Sequence, residues 1–184
     1  VLGPHLKPPE IGTFMTIRVW DYLPEYERER EDIHDAVETV FRSGQLVLGE
    51  SVRGFEREFA DYHGVRHCVG VDNGTNAIKL GLQAAGVGPG DEVITVSHSF
   101  IATANAVRYC GAEPVFVDID PGTFNIDPAQ IEAAVTARTR AILCVHQMGM
   151  PCDLEKIIEI ARRHSLPVVE DAACAVGSEI RWNG

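Results

Sequence analysis

The apolar positions of this chain follow two different rhythms on either side of Gly64. From Asp32 to Arg42, Ile33, Val37, Val40 and Phe41 recur at helical spacing, and Gly44 stands where a C-terminal cap belongs. A second helix is predicted after it, capped by Ser51, with Val52, Phe55, Phe59 and Tyr62 as a buried stripe and Gly64 as its end. Beyond that point short apolar runs alternate with helical segments. The predicted strands are HCVGV (67–71), EVITV (92–96), EPVFVDI (113–119), AILCVH (141–146) and PVVED (167–171). Four helices are predicted between them, beginning near Thr75, Ile101, Asp127 and Asp153, and the last carries Leu154, Ile157, Ile158 and Ala161 on one face.

Such alternation describes βαβ units. Near-continuous Val and Ile within the strands is what burial on both faces demands, so the expected class is α/β, a mostly parallel sheet with helices on both faces. Ligands of such sheets bind in the crevice at the carboxyl ends of the strands. The residues to inspect are therefore Asn73-Gly74-Thr75, Ser97 to Phe100, Asp118 and Asp120, His146, and Glu170-Asp171.

Composition sharpens this picture by exclusion. A chain of 184 residues with a formal net charge of −11 can bury a core of its own, and its acidic balance opposes nucleic-acid binding by counterion release. No apolar run reaches the length of a membrane span, and no signal-like core opens the chain, so a cytoplasmic protein without a membrane partner is expected. Cys68, Cys110, Cys144, Cys152 and Cys174 are odd in number and widely spaced, which predicts free thiols. Residues 1–14, rich in Pro and Gly, read as an extension or linker, and 15–184 as an N-terminal segment plus most of a ligand-binding domain.

Several candidates divide on chemistry. VDNGTNAIKLGL (71–82) sets a Gly-Thr pair at a helix start, where free N–H groups, a hydroxyl and the helix dipole suit a phosphate, although Asn and Thr serve equally as simple caps. GVGPGDEV (86–93) follows a helix and precedes a strand, the reverse of a dinucleotide loop, so it reads as a helix stop and turn. DIDPGTFNID (118–127) reads as a strand end entering a Pro-Gly turn, with no metal expected. His63, His67 and Cys68 straddle a helix end and a strand start and are read as packing residues. His98 and His146 lie at strand ends without a visible partner. Asp171 follows apolar Val168 and Val169 and precedes Ala172 and Ala173, which leave room for a flat ligand; a carboxylate there must be paired with a cation or hydrated.

In order, VDNGTNAIKLGL, the segment 86–120 from GVGPGDEV to VFVDID, NIDP, AILCVHQMGMPCDL and LPVVEDAACAVGS resemble the N-terminal, large-domain half of DegT-type (DegT/DnrJ/EryC/StrS) aminotransferases. These are pyridoxal-phosphate enzymes of the aspartate-aminotransferase-like, fold-type-I superfamily, acting mainly on nucleotide-linked keto sugars. The resemblance implies that Gly74, Thr75 and the backbone of Asn76 hold the cofactor phosphate. It also implies that Phe100 stacks on the pyridine and that Asp171 pairs with the pyridine nitrogen. Cys174 stands where members carry Gln or His against the ring hydroxyl, and Asn73 where a Ser is common.

The family lysine that bears the cofactor lies beyond the EDAA motif, and no lysine follows Asp171 here; Lys7, Lys79 and Lys156 all precede it. The resemblance thus implies a cofactor-cradling half that does not transaminate by itself. The complete protein is expected to be a homodimer using an amino-acid donor, glutamate by resemblance, and a nucleotide-sugar acceptor. Alternatives are a sugar dehydratase of the same family with histidine in place of the lysine, a member acting on a cyclitol, or a non-catalytic cofactor- or nucleotide-binding module.

Overall fold

A computed structural model describes residues 21–181, so the extension read at 1–14 lies outside the described residues. Two compact units are present, one ending at Phe55 and the other beginning at Glu56. In the first, α1 (Leu23–Ser43) ends at Gly44, whose φ of 68° allows its N–H to return to the Phe41 carbonyl. The predicted helix is there and starts nine residues earlier than Asp32. Its apolar side chains Ile33, Val37 and Phe41 are exposed.

The second helix, α2 (Glu50–Tyr62), contains Ser51 instead of being capped by it. Its expected buried stripe is also corrected: Ala60 is its buried residue, while Phe55 and Tyr62 are exposed. Helical spacing marks which face is apolar, but burial depends on what is laid against that face.

The remaining chain builds α3 (Gly74–Ala84), β1 (Glu92–Val96), α4 (Ile101–Tyr109), β2 (Glu113–Val117), α5 (Pro128–Ala134), β3 (Thr139–Val145), α6 (Leu154–Arg163) and β4 (Val168–Asp171). The four strands form one parallel sheet in the order β2-β1-β3-β4. Four of the five predicted strands are therefore realised. The exception is HCVGV, which stays extended without a ladder among the described residues; Val69 is 75% exposed, and the Gly70 N–H donates to the Glu56 carboxylate. A strand exists only where a neighbour accepts and donates its ladder bonds, and an apolar run cannot supply that neighbour.

Alternation along the strands divides the core in two. Val93 of β1, Ala141 and Leu143 of β3, and Val169 of β4 pack with Ile78, Leu82, Ala106 and Val107 of α3 and α4. On the opposite face Ile94, Ile142 and Cys144 meet Ile131 of α5 and Leu154, Ile157, Ile160 and Ala161 of α6. Asp127 and Asp153 cap α5 and α6 through their side chains, as their positions in the sequence suggested. Gly86 and Gly90, at φ 87° and 86°, make the stop-and-turn between α3 and β1.

From β1 the chain moves outward to β2, then crosses back to β3 and continues to β4. The carboxyl ends of β1 and β3 thus flank a topological switch point, where a crevice opens between loops that leave in opposite directions. Leu143, fully buried on a central strand, anchors the face that carries α3 and α4. Leu143→Ala is expected to lower the unfolding free energy by about 2–5 kcal/mol in urea titration, with far-UV circular dichroism retained.

Candidate functional site

At the carboxyl end of β4, Asp171 is 9% exposed and turned toward the face covered by α3 and α4. Parallel pairing sets Asp171 opposite Val145, and the His146 N–H donates to the Asp171 carbonyl at 3.1 Å, which extends the ladder to the last residue. Both carboxylate oxygens receive hydrogens. Thr103 Oγ1 donates to Oδ2 at 3.1 Å, and the Ala173 N–H donates to Oδ1 at 3.2 Å. The cationic partner considered for Asp171 is not among its contacts in the described residues; hydroxyl and amide donors hold it instead.

Thr103 lies on the first turn of α4, and Phe100 is that helix's N-cap residue. The Phe100 ring is 78% exposed, in keeping with a large aromatic set at the mouth of a crevice. The α3 N-terminus supplies a different set of groups. Asn73 caps it, its Oδ1 accepting from the Asn76 N–H at 2.9 Å, and the Asn76 side chain donates to the Asp72 carboxylate. The Asn76 amide is thus already engaged. Gly74 and Thr75, the first two helical residues, have no intrahelical acceptor for their N–H groups, and the space beside the Gly74 Cα is open.

Cys174 is exposed three residues beyond Asp171, and a Cβ on Gly149 would come within 3.3 Å of its carbonyl oxygen. The loop after β3 is fixed by a residue that sequence reading passed over. Asn125, 2% exposed, accepts from the Gln147 N–H at 2.9 Å and donates to the Met150 and Pro151 carbonyls at 2.9 and 3.2 Å. All of this loop's turn, including Met148 at φ 49°, is thereby held in place beside Asp171. Asn125 and Thr103 carry no motif signal of their own; only their burial reveals them.

The other candidates resolve into structural roles. His146 is 5% exposed, and its ring is engaged by Glu170 and Cys152. Its Nε2 lies 2.9 Å from Glu170 Oε2, and its Nδ1 accepts from the Cys152 N–H at 3.0 Å. Cys152 and Glu170 act to raise the His146 pKa, and Cys144 and His146 act to lower that of Cys152, while burial works against a charge on either group. The hydrogen bonds side with burial: the Cys152 amide needs a lone pair on Nδ1, and the Cys152 thiol donates to the Val145 carbonyl at 3.2 Å. The pair selected by this geometry is a neutral imidazole with its hydrogen on Nε2 beside a neutral thiol.

His98 is exposed and contacts the Phe124 carbonyl, while His63 packs on Phe59 and Tyr62. Asp120 folds its own turn by accepting from the Gly122 and Thr123 N–H groups, and no cluster fit for a metal occurs among the described residues. The five cysteines are free thiols. Lys156 is paired with Asp153 at 2.7 Å, Lys79 lies on α3, and Lys7 is outside the described residues.

Fold and site together define a doubly wound α/β protein with a buried carboxylate and an open helix N-terminus at its crevice. Residues 27–183 match the DegT/DnrJ/EryC1/StrS aminotransferase family, and the chain belongs to that family. It is 54% identical over 164 residues to a dTDP-3-amino-3,4,6-trideoxy-alpha-D-glucose transaminase of Micromonospora megalomicea subsp. nigra, covering 89% of this chain and 44% of that protein. The crystal structure of S. venezuelae DesV superposes with a TM-score of 0.83 at 45% identity, over 85% of this chain and 42% of that one. NtdA of Bacillus subtilis, solved with bound cofactor PMP, gives 0.80 at 43% identity, over 82% of this chain and 34% of that one. The chain spans less than half the length of the curated relatives it matches. Among the described residues no helix is long and apolar enough to cross a membrane.

The hydrogen bonds around His146 carry a direct test. Long-range 15N–1H NMR at pH 7 is expected to show one protonated and one unprotonated ring nitrogen on His146, the hydrogen on Nε2. Two protonated nitrogens would establish an imidazolium beside Glu170 and overturn this assignment.

Proposed function

We propose that the whole protein is a pyridoxal-phosphate-dependent sugar aminotransferase, which moves an amino group from glutamate to a nucleotide-linked keto sugar. The observation that carries this reading is the Asp171 carboxylate, buried at a strand end and held as an acceptor by Thr103 and Ala173. An acceptor-only group so placed suits a ring nitrogen that bears a proton.

The other groups fit the same cofactor. The Gly74 and Thr75 N–H groups, the Thr75 hydroxyl and the positive end of α3 suit a phosphate, and the open space at Gly74 admits it. Asn76 takes part in this reading through its capped amide, which keeps the first turn of α3 in place. Phe100 offers an exposed flat apolar face to the ring, and Cys174, exposed three residues beyond Asp171, is assigned to the side of the ring hydroxyl by family resemblance.

When bound, pyridoxal phosphate supplies an electron sink for the electrons released as a Cα proton leaves. Asp171 keeps a proton at the ring nitrogen by offering an anionic partner there. Phe100 fixes the plane of the ring, and the α3 N-terminus fixes its position, so the bond to be broken is held in alignment. Phe100 also shields one ring face from water. A lysine outside this chain's sequence would move the proton at Cα.

Homodimerisation and a cytoplasmic location belong to the same reading. The exposed Ile33, Val37 and Phe41 on α1 offer apolar surface for a second copy. The test is reconstitution of the whole protein with pyridoxal phosphate, glutamate and a nucleotide-linked keto sugar, with the amino sugar followed by mass spectrometry. Transfer is expected, together with one borohydride-stable adduct on a lysine. Asp171→Asn should lower turnover by about a hundredfold or more. Absence of any spectral change with the cofactor, alongside binding of free nucleotides, would favour the nucleotide-binding module and overturn this reading.

A further inference from the structure

We infer that Thr103 is a positioning residue for this reaction: its hydroxyl, oriented by Ser99, holds the Asp171 carboxylate in the rotamer that pairs with the protonated ring nitrogen. The inference rests on the reading of Asp171 as the partner of that nitrogen. It comes from counting hydrogens. Thr103 Oγ1 lies 3.1 Å from Asp171 Oδ2 and 2.7 Å from Ser99 Oγ, yet a hydroxyl carries one hydrogen.

A carboxylate can only accept, so the Thr103 hydrogen points to Asp171 and Ser99 must donate to Thr103. The chain of donors therefore has a direction, from Ser99 through Thr103 to Asp171. Each bond polarises the next in surroundings that exclude water, since Thr103 is 2% exposed. The Ala173 N–H occupies the other oxygen. The two donors oppose rotation of the carboxylate and leave one lone pair on each oxygen for a further partner.

Thr95, the other buried threonine nearby in sequence, is committed to the Leu143 carbonyl at 2.8 Å. Thr103 also follows Phe100 by one helical turn of α4, so the same turn carries the aromatic ring and the donor to the carboxylate. Displacing α4 would therefore disturb both together.

The experiment compares Thr103→Val, Thr103→Ser and Ser99→Ala in the full-length protein loaded with pyridine-15N-labelled pyridoxal phosphate. The nitrogen resonance, the cofactor Kd of the apoprotein and the steady-state constants are recorded for each. Thr103→Val, nearly isosteric and lacking the donor, is expected to move the nitrogen resonance toward its unprotonated position and to weaken cofactor binding. It should also lower kcat about tenfold, with KM for the keto sugar within about twofold. Thr103→Ser should restore the resonance and the turnover, and Ser99→Ala should fall between.

A wild-type resonance and turnover in Thr103→Val would overturn the inference. Equal impairment in the Val and Ser variants would overturn it too, because the loss would then follow packing and not the hydroxyl. Should Thr103→Val fail to fold, Ser99→Ala decides by the same resonance: no movement refutes the relay. Wild-type protein that binds no cofactor would refute the aminotransferase reading itself, a result separable from failure of Thr103.

Discussion

A carboxylate withdrawn from water must find its compensation inside the protein, and Asp171 meets that requirement with few resources. One hydroxyl and one backbone amide serve its two oxygens. Each donor depends on a larger part of the fold. The amide is available because the chain turns directly after β4, and the hydroxyl because α4 packs over β1 and β3 on the face where Asp171 points. Even the strand end is secured, by the His146 N–H on the Asp171 carbonyl. The candidate site is thus an outcome of sheet order and helix packing, although its central residue is a single side chain.

The topology explains why so many polar groups meet at one edge. At a switch point the loops after neighbouring strands diverge, and side chains from helices on both faces can reach the gap. Here the face of α3 and α4 contributes Thr103 and the α3 N-terminus. The opposite face contributes stiffness: Asn125 locks the loop after β3, and His146 ties that strand to Glu170 and to the entry of α6. A loop beside a ligand site is more useful when its backbone is already held, because less ordering is left for the moment of binding.

The same parity accounts for adjacent residues with opposite tasks. Glu170 and Asp171 are neighbours in sequence, but successive strand residues face opposite sides of the sheet. Glu170 therefore goes to His146 and Asp171 to Thr103. One carboxylate supports the fold while the other is left to face the crevice. Phe100 stands exposed at the N-cap of α4: its carbonyl accepts from the Thr103 N–H, while its side chain stays out of the core.

Much of this was legible in the chain itself. The rhythm of Val and Ile runs located β1 to β4, Asp127 and Asp153 announced the starts of α5 and α6, and strand-end position singled out Phe100 and Asp171 as candidates, whereas Gly74 and Thr75 were reached from HCVGV, which forms no strand. These features are local, decided by periodicity, caps and turns within a few residues. HCVGV, the Ser51 cap and the buried stripe of α2 were misread because an apolar pattern states what a segment can bury, not whether a neighbour arrives to cover or pair with it. His146 likewise gained its partners only on folding. Thr103 and Asn125 were invisible for the converse reason, since ordinary polar residues acquire meaning when the fold removes water and leaves one partner within reach. The sequence by itself determined the elements and the residues at their ends; the tertiary structure alone decided which of them meet, because hydrogen bonds and burial between distant segments depend on sheet order and helix face.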